Sequence, residues 1–206
     1  MAIPSFTEED FAVFQVNGLE ERMEELKKRI RPKFESIGEQ ITPFLEQMIG
    51  DPFYLHIAKH ARRTVNPPDE TWMAWAANKR GYKAHPHFQL GIRDTHLFIW
   101  FALIYECGRK PSFARNLRAQ LDEIWPAIPD HFHISEDHTV PKTTPKKDWD
   151  VEKGLDRLEK VKKAEFLCGI LIPRDEAVSL KGEDIIQRSE SAFQTLYPLY
   201  RLAVSS

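Results

Sequence analysis

The amino-acid sequence predicts an α+β fold in which a mainly antiparallel sheet packs against several helices. Three features carry that expectation. A helical period of apolar side chains runs through the first fifty residues, short aromatic and β-branched segments follow Asp51, and helical period returns beyond Pro111. Helices flanking a block of consecutive strands suggest this architecture. The expected organisation is a single domain over residues 1–206, helical over 1–50 and sheet-forming over 51–206, long enough for one substantial core.

In chain order, Thr7 with Asp10 three positions on has the spacing of a capping box and opens a short first helix. Leu19, Met23, Leu26 and Ile30 then fall on one helical face, and Phe34, Ile37, Ile41, Phe44 and Met48 carry the period onward. Pro32 and Pro43 lack the amide proton that a helix interior uses, so each should kink this element or begin a new helix.

The segments "FYLHIAKH", "TWMAWAANK", "HFQLGIR" and "HLFIWFALIYE" read as strands, separated by turn chemistry such as "NPPD" and "RDT". In "HFQLGIR", Phe88, Leu90 and Ile92 share one face, and His87, Gln89, Gly91 and Arg93 share the other. "LFIWFALIY" is apolar throughout, the mark of a central strand covered on both sides. The spacer Asp94-Thr95 is short enough to join the last two strands as a hairpin.

Pro111 suits a first helical turn, and Phe113, Leu117, Leu121 and Ile124 follow on one face. "HFHIS" is a short strand, and the basic loop "TVPKTTPKKD" leads into a helix carrying Val151, Leu155, Leu158 and Val161. "EFLCGILI" is a final buried strand. The terminal helix aligns Ile185, Ser189, Phe193, Leu196 and Tyr200.

Composition narrows the classes. An apolar share of 42% with 29% charged residues is ordinary for a globular domain. A net charge of −2 argues against a chain that wraps nucleic acid. Cys107 and Cys168 form no C-x-x-C pair, and two free buried thiols favour a reducing compartment. The acidic start "MAIPSFTEEDF" has no signal-peptide pattern, and the longest apolar run, Leu97 to Tyr105, is far short of the roughly 20 residues of a membrane span. The expectation is a cytoplasmic chain with no membrane contact.

All eight histidines lie between His56 and His138. "HIAKH" resembles the zincin helix, but Ile57 replaces the general-base glutamate. On a strand, His56 and His60 would lie about 13 Å apart, too far for one ion. His85/His87 and His131/His133 have the better spacing, at about 6.6 Å on a strand face. Neither pair has a third ligand close by in sequence; only "SEDHT", with Glu136, Asp137 and His138, offers carboxylates. No metal set is assigned.

The strongest functional signal is charge. Between Lys59 and Arg93 stand Lys59, Arg62, Arg63, Lys79, Arg80, Lys83 and Arg93 against only Asp69 and Glu70, an excess of +5. Residues 1–50, by contrast, hold ten acids and six bases. Paired guanidinium groups can grip a carboxylate or phosphate through bidentate bonds, and Gly81 allows close backbone approach. No G-x-S-x-G, Walker-type or dinucleotide-binding motif is present.

Together "FTEEDF", "AKHARRTVNPP", "NKRGYKAHPHFQLGI", "THLFIWFALIYE", "DHT", "KKAEFLCGI" and "RDEAV" resemble the YktB-like proteins of Gram-positive bacilli, along essentially the whole chain. The resemblance implies an α+β fold and supplies neither an activity nor catalytic residues.

The residues support a protein that binds a small anion, such as a phosphate-bearing metabolite, through His60, Arg62, Arg63, Lys79, Arg80, His87 and Gln89. The alternatives are a metal-dependent hydrolase built on the H-x-H pairs, and an interaction protein docking an acidic partner or RNA. Whether the chain is an enzyme, which cofactor it would use and its oligomeric state are not specified by the sequence.

Overall fold

The computed structural model describes residues 3–205. Helix α1 (Glu8–Ala12) begins as the capping spacing predicts: the Asp10 carboxylate accepts the Thr7 backbone N–H at 2.7 Å and its hydroxyl at 3.2 Å. Lys33 pairs with the same carboxylate and donates to the Ser5 carbonyl.

Helix α2 (Leu19–Glu25) passes into α3 (Arg31–Ile49) through a π-helical turn at Leu26–Ile30. Pro32 stands in the first turn of α3, at a helix start that the sequence predicts as one of two outcomes. The widened turn lies just ahead of it, where the proline ring would otherwise crowd the carbonyl one turn back. Pro43 sits inside α3, and beyond it the buried stripe passes to Leu45, leaving Phe44 and Met48 half-buried. Gly50, at φ 84°, closes the helix in the left-handed conformation.

Four strands follow: β1 (Tyr54–Ile57), β2 (Glu70–Ala76), β3 (His87–Arg93) and β4 (His96–Leu103). Next come α4 (Lys110–Ala119), α5 (Leu121–Ile124), β5 (His133–Ser135), β6 (Thr144–Pro145) and α6 (Val151–Lys160). The chain ends with β7 (Phe166–Pro173), α7 (Arg174–Ala177) and α8 (Gly182–Val204). The seven strands form an antiparallel sheet in the order β1-β2-β3-β4-β7-β5-β6. The all-apolar strand β4 occupies the middle, as its composition predicts, and Asp94-Thr95 forms the β3–β4 connection. This is the expected α+β fold.

The chain divides into two compact units. One takes residues through Trp75 with Gln89–Ile99 and Leu171–Glu190; the other takes Ala76–Phe88, Trp100–Ile170 and the residues from Ser191 on. In the first unit, α3 packs on β1 and β2. Gly38 leaves room for Leu55 and Met73, where an added Cβ would meet Leu55 at 2.5 Å, and the Trp75 indole N–H donates to Thr42 Oγ1 at 3.1 Å. The Phe98 ring lies over Gly91, filling the space that a side chain there would take.

The core of the second unit is aromatic. Phe88 packs on Phe193 and Tyr200 of α8, with ring centroids 4.8 and 5.4 Å away. Phe166 lies 5.2 Å from Phe113 of α4, 5.6 Å from Trp149 and 6.4 Å from Phe101 of β4. Arg118 of α4 pairs with Glu152, Asp156 and Glu159 of α6. Leu155 and Leu158 are buried as predicted, but Val161 lies past the end of α6 and is exposed.

Both cysteines are free and buried, and burial pushes both thiols up from their ordinary range. Because the thiolate is the reactive form, a disulfide-exchange reagent should leave Cys168 unmodified in the native protein and label it once denaturant unfolds the chain. Rapid native labelling of Cys168 would contradict this packing.

Candidate functional site

The basic stretch occupies two turns, one before β2 and one after it. Lys59, Arg62 and Arg63 are exposed in the turn leaving β1, and Lys79 and Arg80 are exposed in the turn leaving β2. Both acids of this stretch are ion-paired. Glu70 pairs with Arg93 at 2.5 Å in a buried bridge, and Asp69 pairs with Arg22 at 3.3 Å. Arg93, counted above among the basic residues, thus belongs to an internal ion pair.

In the first unit the turn is shaped by His60. Its φ of 50° is positive, alone among the described non-glycine residues. That conformation costs a side-chain-bearing residue free energy and persists where the surroundings fix it. Here its Nε2 is hydrogen-bonded to Thr71 Oγ1 at 3.1 Å, and its ring meets Trp72 edge-on at 5.5 Å. The Arg63 amide closes the turn on the His60 carbonyl, while Arg63 Nη1 donates to the carbonyls of Asn66 and Pro67, which orients its guanidinium. Gln89, on β3, is 2% exposed.

In the second unit, His87 is fully buried. Its Nδ1–H donates to the His85 carbonyl at 2.8 Å and its ring meets Tyr82 edge-on at 5.2 Å. This bond fixes the imidazole tautomer.

The histidine pairs gather few ligands. His56 lies in β1 and His60 in the turn beyond, so "HIAKH" is not a zincin helix. His133 Nδ1 is 3.0 Å from Thr143 Oγ1, and burial, then the neighbouring His131, pushes its basicity down. Among the described residues neither H-x-H pair belongs to a group of three potential metal ligands; one such group exists, and it is Asp137, His138 and Glu165.

That group is a product of sheet register. β5 and β7 run antiparallel with Ser135 opposite Leu167, so the chain leaving β5 passes beside Glu165. β4 borders β7 on its other side, bringing Tyr105 to the same place. The Glu165 carboxylate accepts the backbone N–H of His138 at 2.7 Å and that of Tyr105 at 3.0 Å. His138 Nδ1 lies 2.9 Å from both carboxylate oxygens, and the Tyr105 ring stacks on the imidazole at 6.4 Å. Asp137 accepts the amide and hydroxyl of Thr139, and the hydroxyl bond leads in holding its carboxyl below the usual range.

Beneath this group, the buried Lys110 ammonium donates to the carbonyls of Ile104, Tyr105 and Lys162. Burial pushes its basicity down. Glu165 and Lys110 carry no local signal in the sequence. Glu165 reads there as the edge of a strand, and its partners stand 27 and 60 positions away. Only "SEDHT" marked the neighbourhood.

The comparisons with known proteins give a family. Residues 6–200 match the family described as "Domain of unknown function (DUF1054)". The chain belongs to this family. A UPF0637 protein of Bacillus licheniformis is 46% identical over 200 residues, covering 96% of this chain and 95% of its own. A UPF0637 protein of Oceanobacillus iheyensis is 46% identical over 201 residues, covering 98% and 97%. One from Shouchella clausii is 42% identical over 206 residues, covering 100% and 98%. These matches agree with the resemblance to YktB-like proteins of Gram-positive bacilli. Among the described residues of this family member, no helix is long and apolar enough to cross a membrane.

Proposed function

We propose that the chain is a cytoplasmic protein that binds a small anion, a phosphate- or carboxylate-bearing metabolite, through its basic stretch. The observation that carries this reading is the local charge. Five exposed cations stand in the turns flanking β2, while the two acids of the same stretch are paired with Arg93 and Arg22. In the first turn, Arg62 and Arg63 are the grip and His60 the neighbouring ring, held in a conformation that a solvated loop would relax. Lys79 and Arg80 supply charge in the second. His87 and Gln89, both buried, are left out of the grip.

The test is a thermal-shift series with inorganic phosphate, pyrophosphate and citrate. Ligand at a hundredfold excess over Kd adds about 2.7 kcal/mol. In a chain of this size that raises Tm by about 5 °C or more. Arg63→Ala and the pair Lys79→Ala/Arg80→Ala, assayed separately, should each reduce the shift. No shift with any of these anions, or shifts unchanged in both variants, would sink the reading. Binding of RNA or an acidic protein that weakens steeply with salt, with no small-anion shift, would instead favour a docking surface.

A further inference from the structure

The second unit holds a group that the anion reading does not use. We infer that Asp137, His138 and Glu165 form a binding site for a divalent first-row metal ion. One ligand atom from each residue lies within 4.8 Å of those of the others, close enough for small side-chain rotations to bring all three onto one ion.

Two carboxylates and an imidazole form the donor set, a mixture of oxygen and nitrogen that suits zinc, manganese or cobalt. The soft thiols are elsewhere in character: both are buried and held protonated.

The site is preorganised. Glu165 is 6% exposed, and its carboxylate is aimed by two backbone amides from different segments, His138 and Tyr105. His138 Nδ1 faces both carboxylate oxygens at 2.9 Å, a spacing that an ion between them would also set. On metal binding, the ion replaces the Nδ1 proton and the neutral imidazole carries its proton on Nε2 instead. Asp137 accepts the Thr139 hydroxyl and is exposed, so it admits the ion from the solvent side.

The neighbouring cations direct their hydrogen bonds away from these carboxylates. Lys110 gives its protons to three carbonyls, and Arg157 pairs with Glu136 at 3.2 Å. The exposed Tyr105 ring stacked on the imidazole forms one wall, and Val140, also exposed, borders the Asp137 turn. Solvent molecules or a ligand oxygen complete the coordination of an ion held by three protein atoms, the arrangement of an open rather than a structural site.

The experiment uses the full chain without a histidine tag, stripped with chelator and dialysed, then titrated with Co²⁺ and with Zn²⁺. The expected result is one equivalent of Co²⁺ with a visible d–d absorption band, displaced by one equivalent of Zn²⁺. Asp137→Asn keeps an oxygen for Thr139 and should fold normally, yet weaken binding at least tenfold. His138→Gln should abolish the cobalt band. Were His138→Gln to fail to fold, the Asp137→Asn titration still decides. Absence of a saturable cobalt spectrum, or equal affinity in wild type and Asp137→Asn, would overturn the site.

Discussion

Replacing Phe166 by alanine is expected to lower stability by about 3–5 kcal/mol, the range for emptying a fully buried aromatic site. The ring is enclosed by Phe101, Phe113 and Trp149, contributed by β4, α4 and the segment before α6. Those are parts of a rigid sheet and its packed helices, so the cavity should not collapse. A loss of this size corresponds to a fall in Tm of about 10 °C for a chain of this length. Phe166→Leu keeps most of the volume and should cost far less. A urea titration of the two variants checks this, and a Phe166→Ala midpoint close to wild type would mean that the aromatic cluster contributes little.

The second large effect is expected at Arg93. Its guanidinium meets Glu70 at 2.5 Å with both side chains at 10% exposure or less. Arg93→Ala removes the cation beside a desolvated carboxylate and should cost about 3–5 kcal/mol. Removing both charges is a different experiment. The double change Glu70→Leu/Arg93→Met takes away the attraction and the desolvation cost together, and should recover most of that loss. A double-mutant cycle from denaturant midpoints measures the coupling. If the double variant were as unstable as Arg93→Ala, packing of the arginine stem would outweigh the charge pair.

These two sites mark what a linear reading can and cannot reach. Phe166 was visible as part of a buried strand because "EFLCGILI" is apolar over a strand's length. β4 was visible at the centre for the same reason, and the α8 stripe was legible down to the polar Ser189, whose hydroxyl donates to the Ile185 carbonyl one turn back. The Thr7–Asp10 cap was legible because its chemistry closes within three residues.

Arg93 was read instead as one more cation in a basic run. Nothing local says that its partner stands 23 positions earlier in a neighbouring strand. The π turn ahead of Pro32 was invisible because the two ways of accommodating a proline, breaking the helix or widening it, differ by packing and not by composition. The stripe beyond Pro43 slipped from Phe44 to Leu45 for a related reason: tertiary contact chooses between adjacent apolar residues.

The candidate sites divide along the same line. A charge run is a one-dimensional quantity, so the basic turns could be found by counting. The left-handed His60 could not, since histidine tolerates that conformation without announcing it. The Asp137–His138–Glu165 group depends on strand register, which sequence spacing leaves open until the sheet order is known.

Lys110 carries a consequence for motion. One ammonium fastens the carbonyls that follow β4 to the carbonyl of Lys162, which precedes β7. Its three N–H bonds are charge-assisted, and the side chain that makes them is 3% exposed. The segments around Tyr105 and Lys162 are therefore hinged together and should breathe as one piece, and the corner that carries Glu165 inherits that stiffness.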